Sequence, residues 1–160
     1  MTTPVCPSYI AGVKHWLWRA VDQTGMVLDV LVRSRRDKGA AKRLLRKLLK
    51  RQCRAPRVMI TDKLASYGAA QKEIMPGVEH RQHKSLNNRV ENSHQPTRRR
   101  ERQMKRFKSA GQARCFLAAH DQINNLFQLR RDHIPADQYR AARTQAFQTW
   151  AEVTGVTALV

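Results

Sequence analysis

Apolar residues along this chain follow two periods, and the change from one to the other marks its elements. His15-Trp16-Leu17-Trp18-Arg19-Ala20-Val21-Asp22 is rich in aromatic and β-branched residues, and Met26-Val27-Leu28-Asp29-Val30-Leu31-Val32 repeats that character after Gln23-Thr24-Gly25. Two strands joined by a short turn with Gly at its end form a hairpin. Past Arg33-Ser34-Arg35-Arg36 the period lengthens: Ala41, Leu44, Leu45, Leu48 and Leu49 recur at three- and four-residue steps. That spacing predicts an amphipathic helix with Asp37 as its N-cap. The outer face carries Lys42, Arg43, Arg46, Lys47, Lys50 and Arg51, a pattern that by itself reads as a solvated face.

After Pro56, Arg57-Val58-Met59-Ile60-Thr61-Asp62 is a short apolar run ending in an acid, the form of a buried central strand. Leu64, Tyr67, Ala70 and Ile74 then share one helical face, and Pro76-Gly77 closes that helix. Val78 to Gln82 reads as another strand, Lys84-Ser85-Leu86 as a loop, and Asn87 or Asn88 as the cap of a helix containing Glu91. Pro96 is expected to kink that helix or end its first section, since it has no N–H to donate. Apolar positions from Ala113 to Phe127 and from Tyr139 to Trp150 predict two more helices. Trp16, Trp18, Phe107, Phe116, Phe127 and Trp150 fall at strand or helix periods and so read as core. The sum is a mixed α/β domain with helices packed on a central sheet.

Charge adds a partner to this picture. Against 31 Lys+Arg stand 12 Asp+Glu, a formal net charge of +19, which points to nucleic acid. No stretch approaches the roughly 20 apolar residues of a membrane span, and Met1 to Gly12 lacks the form of a secretory signal. A cytoplasmic, nucleoid-associated protein is expected. Cys6, Cys53 and Cys115 are odd in number and far apart, so they suggest neither a disulfide framework nor a zinc site.

Two acids carry the candidate chemistry. Asp62 ends a central strand, where open α/β sheets place ligands. Glu91 sits in the early turns of a later helix, between Arg89 and a basic run from Arg98 to Arg102. A strand carboxylate and a helix carboxylate brought together among Arg and Lys suit metal-assisted phosphoryl chemistry with Mg²⁺ or Mn²⁺. The plainer alternative makes Asp62 a helix cap and Glu91 the ion-pair partner of an Arg.

Trp16-Leu17-Trp18-Arg19-Ala20-Val21-Asp22, Ile60-Thr61-Asp62-Lys63-Leu64-Ala65-Ser66-Tyr67, Glu79-His80-Arg81-Gln82, Leu86-Asn87-Asn88-Arg89-Val90-Glu91-Asn92 and Met104-Lys105-Arg106-Phe107-Lys108-Ser109 together resemble bacterial insertion-sequence transposases of the insertion sequence six family. The resemblance implies a ribonuclease-H-like α/β core, with a mixed sheet flanked by helices, over residues 1–130 and a helical tail over 131–160. It makes Asp62 and Glu91 the second and third acids of a DDE triad, ligands of two Mg²⁺ or Mn²⁺ ions, in an enzyme that cleaves DNA strands and transfers them to a target. It also implies a homo-oligomer acting on element ends and target DNA. Asn88, Glu91, Gln95, Arg98 and Arg102 recur at three- and four-residue steps and so share a helix face, which together with Lys63, Arg89, Lys105, Arg106 and Lys108 reads as a DNA-contacting surface; the plainer alternative is a solvated charged helix.

The resemblance places the first acid of the triad near Pro4, where this chain reads Thr2-Thr3-Pro4-Val5-Cys6-Pro7. The helix-turn-helix that precedes this core in the family has no counterpart either, so the chain reads as N-terminally truncated. Pro4 and Pro7 also predict a poor opening strand, because neither has an N–H for a ladder. Asp22 and Asp29 are expected at hairpin ends, away from the site. The alternative function is a catalytically inactive DNA-binding remnant that interferes with intact transposase; a small basic RNA-binding protein would account for the charge but not for the motifs.

Overall fold

In the computed structural model the apolar runs of the sequence assemble into one six-stranded mixed sheet with helices on both faces. Residues 1–82, 88–129 and 134–156 are described, residues 88–93 as helix backbone only. The strands are β1 (Thr2–Thr3), β2 (Val5–Ile10), β3 (Val13–Val21), β4 (Val27–Arg33), β5 (Val58–Thr61) and β6 (Glu79–Gln82). The helices are α1 (Lys38–Gln52), α2 (Ala65–Ile74), α3 (Asn88–Gln103), α4 (Ala110–Phe127) and α5 (Ala136–Thr154). Strands β2, β3 and β4 pair antiparallel, whereas β1, β5 and β6 run parallel. This is the α/β class the sequence predicts, and β5 is central, lying between β1 and β6.

Alternation along β3 sorts the core into two layers. Trp18 and Ala20 join Leu44, Leu45 and Leu48 of α1 and Tyr67 and Ala70 of α2 in one cluster. Leu17 turns the other way, onto Phe107, Ala113 and Leu117. Asp37 caps α1 as predicted, its carboxylate accepting from the Ala40 N–H at 2.8 Å. Asp37→Ala is expected to cost about 1 kcal/mol, read as a lower urea midpoint at unchanged slope; an unchanged midpoint would remove the cap from the account of α1. The β3–β4 turn is held by Asp22, whose Oδ1 accepts from the Thr24 and Met26 N–H groups at 2.8 and 2.9 Å, while Gly25 takes a φ of 91°. Asp22 is thus a turn residue. Asp29 is not at a hairpin end: it lies within β4, buried and paired with Lys47 of α1 at 2.6 Å.

The opening segment corrects the expectation of a poor strand. β1 and β2 are one line of chain in a single register against β3, from Thr2↔Val21 through Val5↔Trp18 to Ile10↔Val13. Pro4 sits at the break, and its carbonyl still accepts from the Arg19 N–H at 3.1 Å. Only the reciprocal bond is lost. In an antiparallel ladder the hydrogen-bonding direction alternates residue by residue, so Pro7, three positions on, directs its missing N–H away from β3. The sheet therefore loses one ladder bond to the two prolines, and the buried side chains of Cys6 and Ile10 offset it.

Pro96 does not end the helix, since α3 continues through it to Gln103. His94 and Thr97, on either side of Pro96, are 4% and 2% exposed, so packing holds both flanks where the backbone bond is missing. α3 ends with Arg106 N–H to Glu101 O at 2.8 Å and Lys105 N–H to Arg102 O at 3.0 Å. This is a Schellman closure built with Lys105 at φ 54° in place of glycine.

By contact the chain divides into two compact units, Met1–Asp121 and Gln122–Val160, so the division falls within α4. In the second unit Phe127 contacts Phe147 and Trp150, with ring centroids 5.1 and 6.2 Å apart. Ala146 is buried there, and Gly155 caps α5 at φ 67°.

Candidate functional site

Asp62 stands one residue beyond β5. Its Oδ2 receives the Arg36 guanidinium at 2.8 Å, and its Oδ1 accepts from the Leu64 N–H at 3.3 Å, just ahead of α2. The motif supports the acid from below: the Thr61 hydroxyl donates to the Asp62 carbonyl at 2.8 Å and contacts His80 Nε2 at 2.8 Å. Burial lowers the pKa of His80. A Cβ at Gly68 would lie 3.1 Å from Gln82 Nε2, the end of an exposed side chain of β6. Arg36 also stacks on Trp16, 5.0 Å from the ring centroid, so the cation that neutralises Asp62 is itself held in place. Behind this pair Tyr67 is fully buried, and burial raises its hydroxyl above the usual tyrosine range.

Register identifies the neighbour of Asp62. Thr3 pairs with Thr61 across the parallel β1–β5 ladder, so the next residue, Pro4, lies beside Asp62. Pro4 is also opposite Arg19, and Arg19 faces α3 through a bond to the Thr97 hydroxyl at 2.8 Å. The strand position beside Asp62 that faces α3 is therefore occupied by proline.

Arg19 organises that face. It is fully buried in β3, with Asp121 of α4 at 3.1 Å and Thr97 of α3 at 2.8 Å. Burial is the chief influence on both ions, raising the Asp121 carboxyl and lowering Arg19. Beside them His94 Nδ1 lies 3.4 Å from Cys6 Sγ. Burial, with Arg19 and Arg98 adding to it, pushes the His94 pKa down to about 3, and burial raises the Cys6 thiol. These contacts fasten the helix that carries Glu91 to the sheet.

The exposed side of α3 forms one wall of a groove of about 480 Å³, lined by Pro7 to Tyr9 of β2 and by Gln95, Arg98, Arg99, Glu101, Arg102 and Arg106. Glu101 is spent on the Ser8 hydroxyl at 2.8 Å. The groove thus presents guanidinium groups against one engaged acid, a surface suited to phosphates.

Of the expected site residues, Arg98, Arg102 and Arg106 share this groove. Lys63, Lys105 and Lys108 are exposed. Asn88, Arg89 and Glu91 lie in α3, but their side chains, like the Asn87 cap and the Lys84–Leu86 loop, are outside the described residues. Among the described residues no group of three His, Cys, Asp or Glu could hold a metal. Of the two expected ligands only the Asp62 carboxylate is described, and there the Arg36 guanidinium holds the place of a cation. Sequence reading missed Arg36, which is hidden in an exposed basic run, and the Arg19–Asp121 pair. For Arg19 a signal existed: a charge in the middle of an aromatic strand must find a buried partner.

A family model described as a DDE domain matches residues 8–130. In Staphylococcus aureus the transposase for insertion sequence-like element IS431mec is 29% identical over 127 residues, 76% of this chain and 55% of that relative. The transposase for insertion sequence element IS257 in transposon Tn4003 has the same identity and coverage. The chain thus spans about half the length of these relatives. Among solved structures, a simian T-cell lymphotropic virus intasome in complex with PP2A regulatory subunit B56 gamma is similar at 16% identity and a TM-score of 0.48, over 92% of this chain and 46% of that one. The HTLV-2 integrase catalytic core domain in complex with magnesium is similar at 15% identity and a TM-score of 0.46, over 92% of this chain and 81% of that one. No described helix is long and apolar enough to cross a membrane.

Proposed function

Because the chain belongs to the DDE-domain family of insertion-sequence transposases, we propose that it acts on DNA as a transposase core, cleaving strands and transferring them to a target by phosphoryl transfer. The observation that carries this reading is the groove along α3. Its Arg98, Arg99 and Arg102 lie on the helix that also contains Glu91, with Arg106 just past the end of that helix, and His94 and Thr97 pin the helix to the sheet beside Asp62. Residues 1–130 would be the catalytic core and 131–160 a helical addition. By family, Asp62 and Glu91 would be oxygen ligands of Mg²⁺ or Mn²⁺, the ions being a source of Lewis acidity at phosphorus. The chain's own part is to position the duplex. Arginines in the groove bind backbone phosphates without reading sequence, and Lys63, Lys105 and Lys108 extend the positive field beyond it. DNA at element ends and at the target, a homo-oligomeric assembly and a cytoplasmic, nucleoid-associated location belong to the same proposal.

Pro4 favours a second reading, a member of the family that binds DNA without cutting it. Supercoiled plasmid incubated with Mn²⁺ and the purified chain, its Asp62→Asn and Glu91→Gln variants, and an Arg98→Ala/Arg102→Ala double variant separates the two. Nicking that needs the ion and is lost in both acid variants supports the enzyme, while binding without nicking selects the second reading. For the double variant the slope of log K against log salt should flatten by about 0.9 for each phosphate no longer neutralised. An unchanged slope would take the groove out of the DNA interface.

A further inference from the structure

From Lys38 to Arg57 the sequence contains no Asp or Glu, although α1 and the loop after it are densely basic. The acids that other elements bring to this helix are all engaged. Glu73 of α2 binds Lys38 and Lys42, Asp29 of β4 binds Lys47, and Asp37 caps the N-terminus. Arg43, Arg46, Lys50, Arg51 and Arg54 are exposed and pair with no acid among the described residues. Lys50 and Arg51 gain from the helix dipole at the C-terminal end. Arg43 and Arg46, near the middle, gain nothing from it, and like charges one turn apart repel. A face kept only for solubility mixes its signs; this one does not.

We propose that the outer face of α1 is a second DNA-phosphate surface, centred on Arg43, Arg46 and Lys50, distinct from the α3 groove. It rests on the reading that this protein acts on DNA. α1 packs on one face of the sheet with Trp18 and Ala20, whereas His94 and Thr97 seat α3 on the other. The helices that carry the two basic surfaces therefore lie on opposite faces of the sheet, so that one chain would hold two duplexes at once. The chemistry required is that of backbone phosphate, because guanidinium and ammonium groups on a rigid helix at three- and four-residue steps follow a phosphate track without contacting base edges.

The test is a capture experiment with the whole chain. A bead-bound random-sequence 40-base-pair duplex is saturated with protein and washed, and a fluorescent second duplex is then added. Wild type should capture the second duplex. Arg43→Glu/Arg46→Glu/Lys50→Glu, all exposed and outside the core, should still bind the beads yet capture at least about tenfold less, with its oligomeric mass by light scattering unchanged. Its salt slope for capture should fall by about 0.9 for each phosphate it ceases to neutralise. Capture unchanged in the triple variant, or absent in a wild type that binds the beads, overturns the second surface and leaves the α3 groove standing. A wild type that binds no duplex at all overturns the DNA reading itself.

Discussion

Asp121→Leu is expected to destabilise the domain by about 3–5 kcal/mol, the cost of leaving one partner of a buried ion pair uncompensated. Arg19 is fully buried in β3, and Asp121 lies 3.1 Å from it. The guanidinium cannot shed its charge, and the neutral Thr97 hydroxyl at 2.8 Å does not balance it. Asp121→Asn, which retains an acceptor but not the charge, should cost less. Urea unfolding of the three proteins decides the matter. A loss under about 1 kcal/mol for Asp121→Leu would mean that other groups carry the Arg19 charge and that the pair does not fasten α4 and α3 to the sheet.

Pro4→Asp is expected to give a metal-dependent stability larger than that of wild type. Register puts residue 4 beside Asp62 and opposite Arg19, on the face that α3 covers. Pro4 is buried, so an acid there is costly without a counter-charge. In EDTA the variant should melt below wild type. Losing even an outer partner of a ligand costs about 10–100-fold in metal affinity, so adding a ligand should tighten Mn²⁺ binding at least about tenfold. At Mn²⁺ about 100 times the dissociation constant, linkage returns about 2.7 kcal/mol to the variant. Thermal unfolding with and without Mn²⁺ is the measurement. A variant melting temperature indifferent to Mn²⁺ would show that residue 4 does not reach the Asp62 site.

The elements were legible because each rests on local pattern. The leucine spacing in α1, the Asp37 cap, the turn at Gly25 and the apolar run of β5 all follow from neighbouring residues. Asp62 at a strand end was legible for the same reason. What could not be read was pairing between distant elements. Pro4 and Pro7 looked damaging because the direction in which each missing N–H points depends on a register with β3 that sequence does not declare. Arg36 gave no sign of reaching Asp62, since an exposed arginine in a basic run looks the same whether it meets water or a carboxylate. That α3 runs on past Pro96 was equally hidden, because the packing that carries it across comes from His94 and Thr97 against another element.

One of those prolines bears on how copies of the chain can meet. Beyond Pro4, strand β2 has β3 on one side and, among the described residues, only the isolated Ile10–Phe107 bridge on the other, leaving most of that flank open in the way that recruits strands from other molecules. Along that flank Pro7 has no N–H to offer, and the next donors in line are those of Tyr9 and Ala11, of which Ala11 already bonds the Phe107 carbonyl at 3.1 Å. An incoming strand would find its template interrupted at Pro7 and again at Ala11. Self-association through a continuous intermolecular sheet is thereby discouraged at β2, and an assembly of these chains has to be built from side-chain surfaces there.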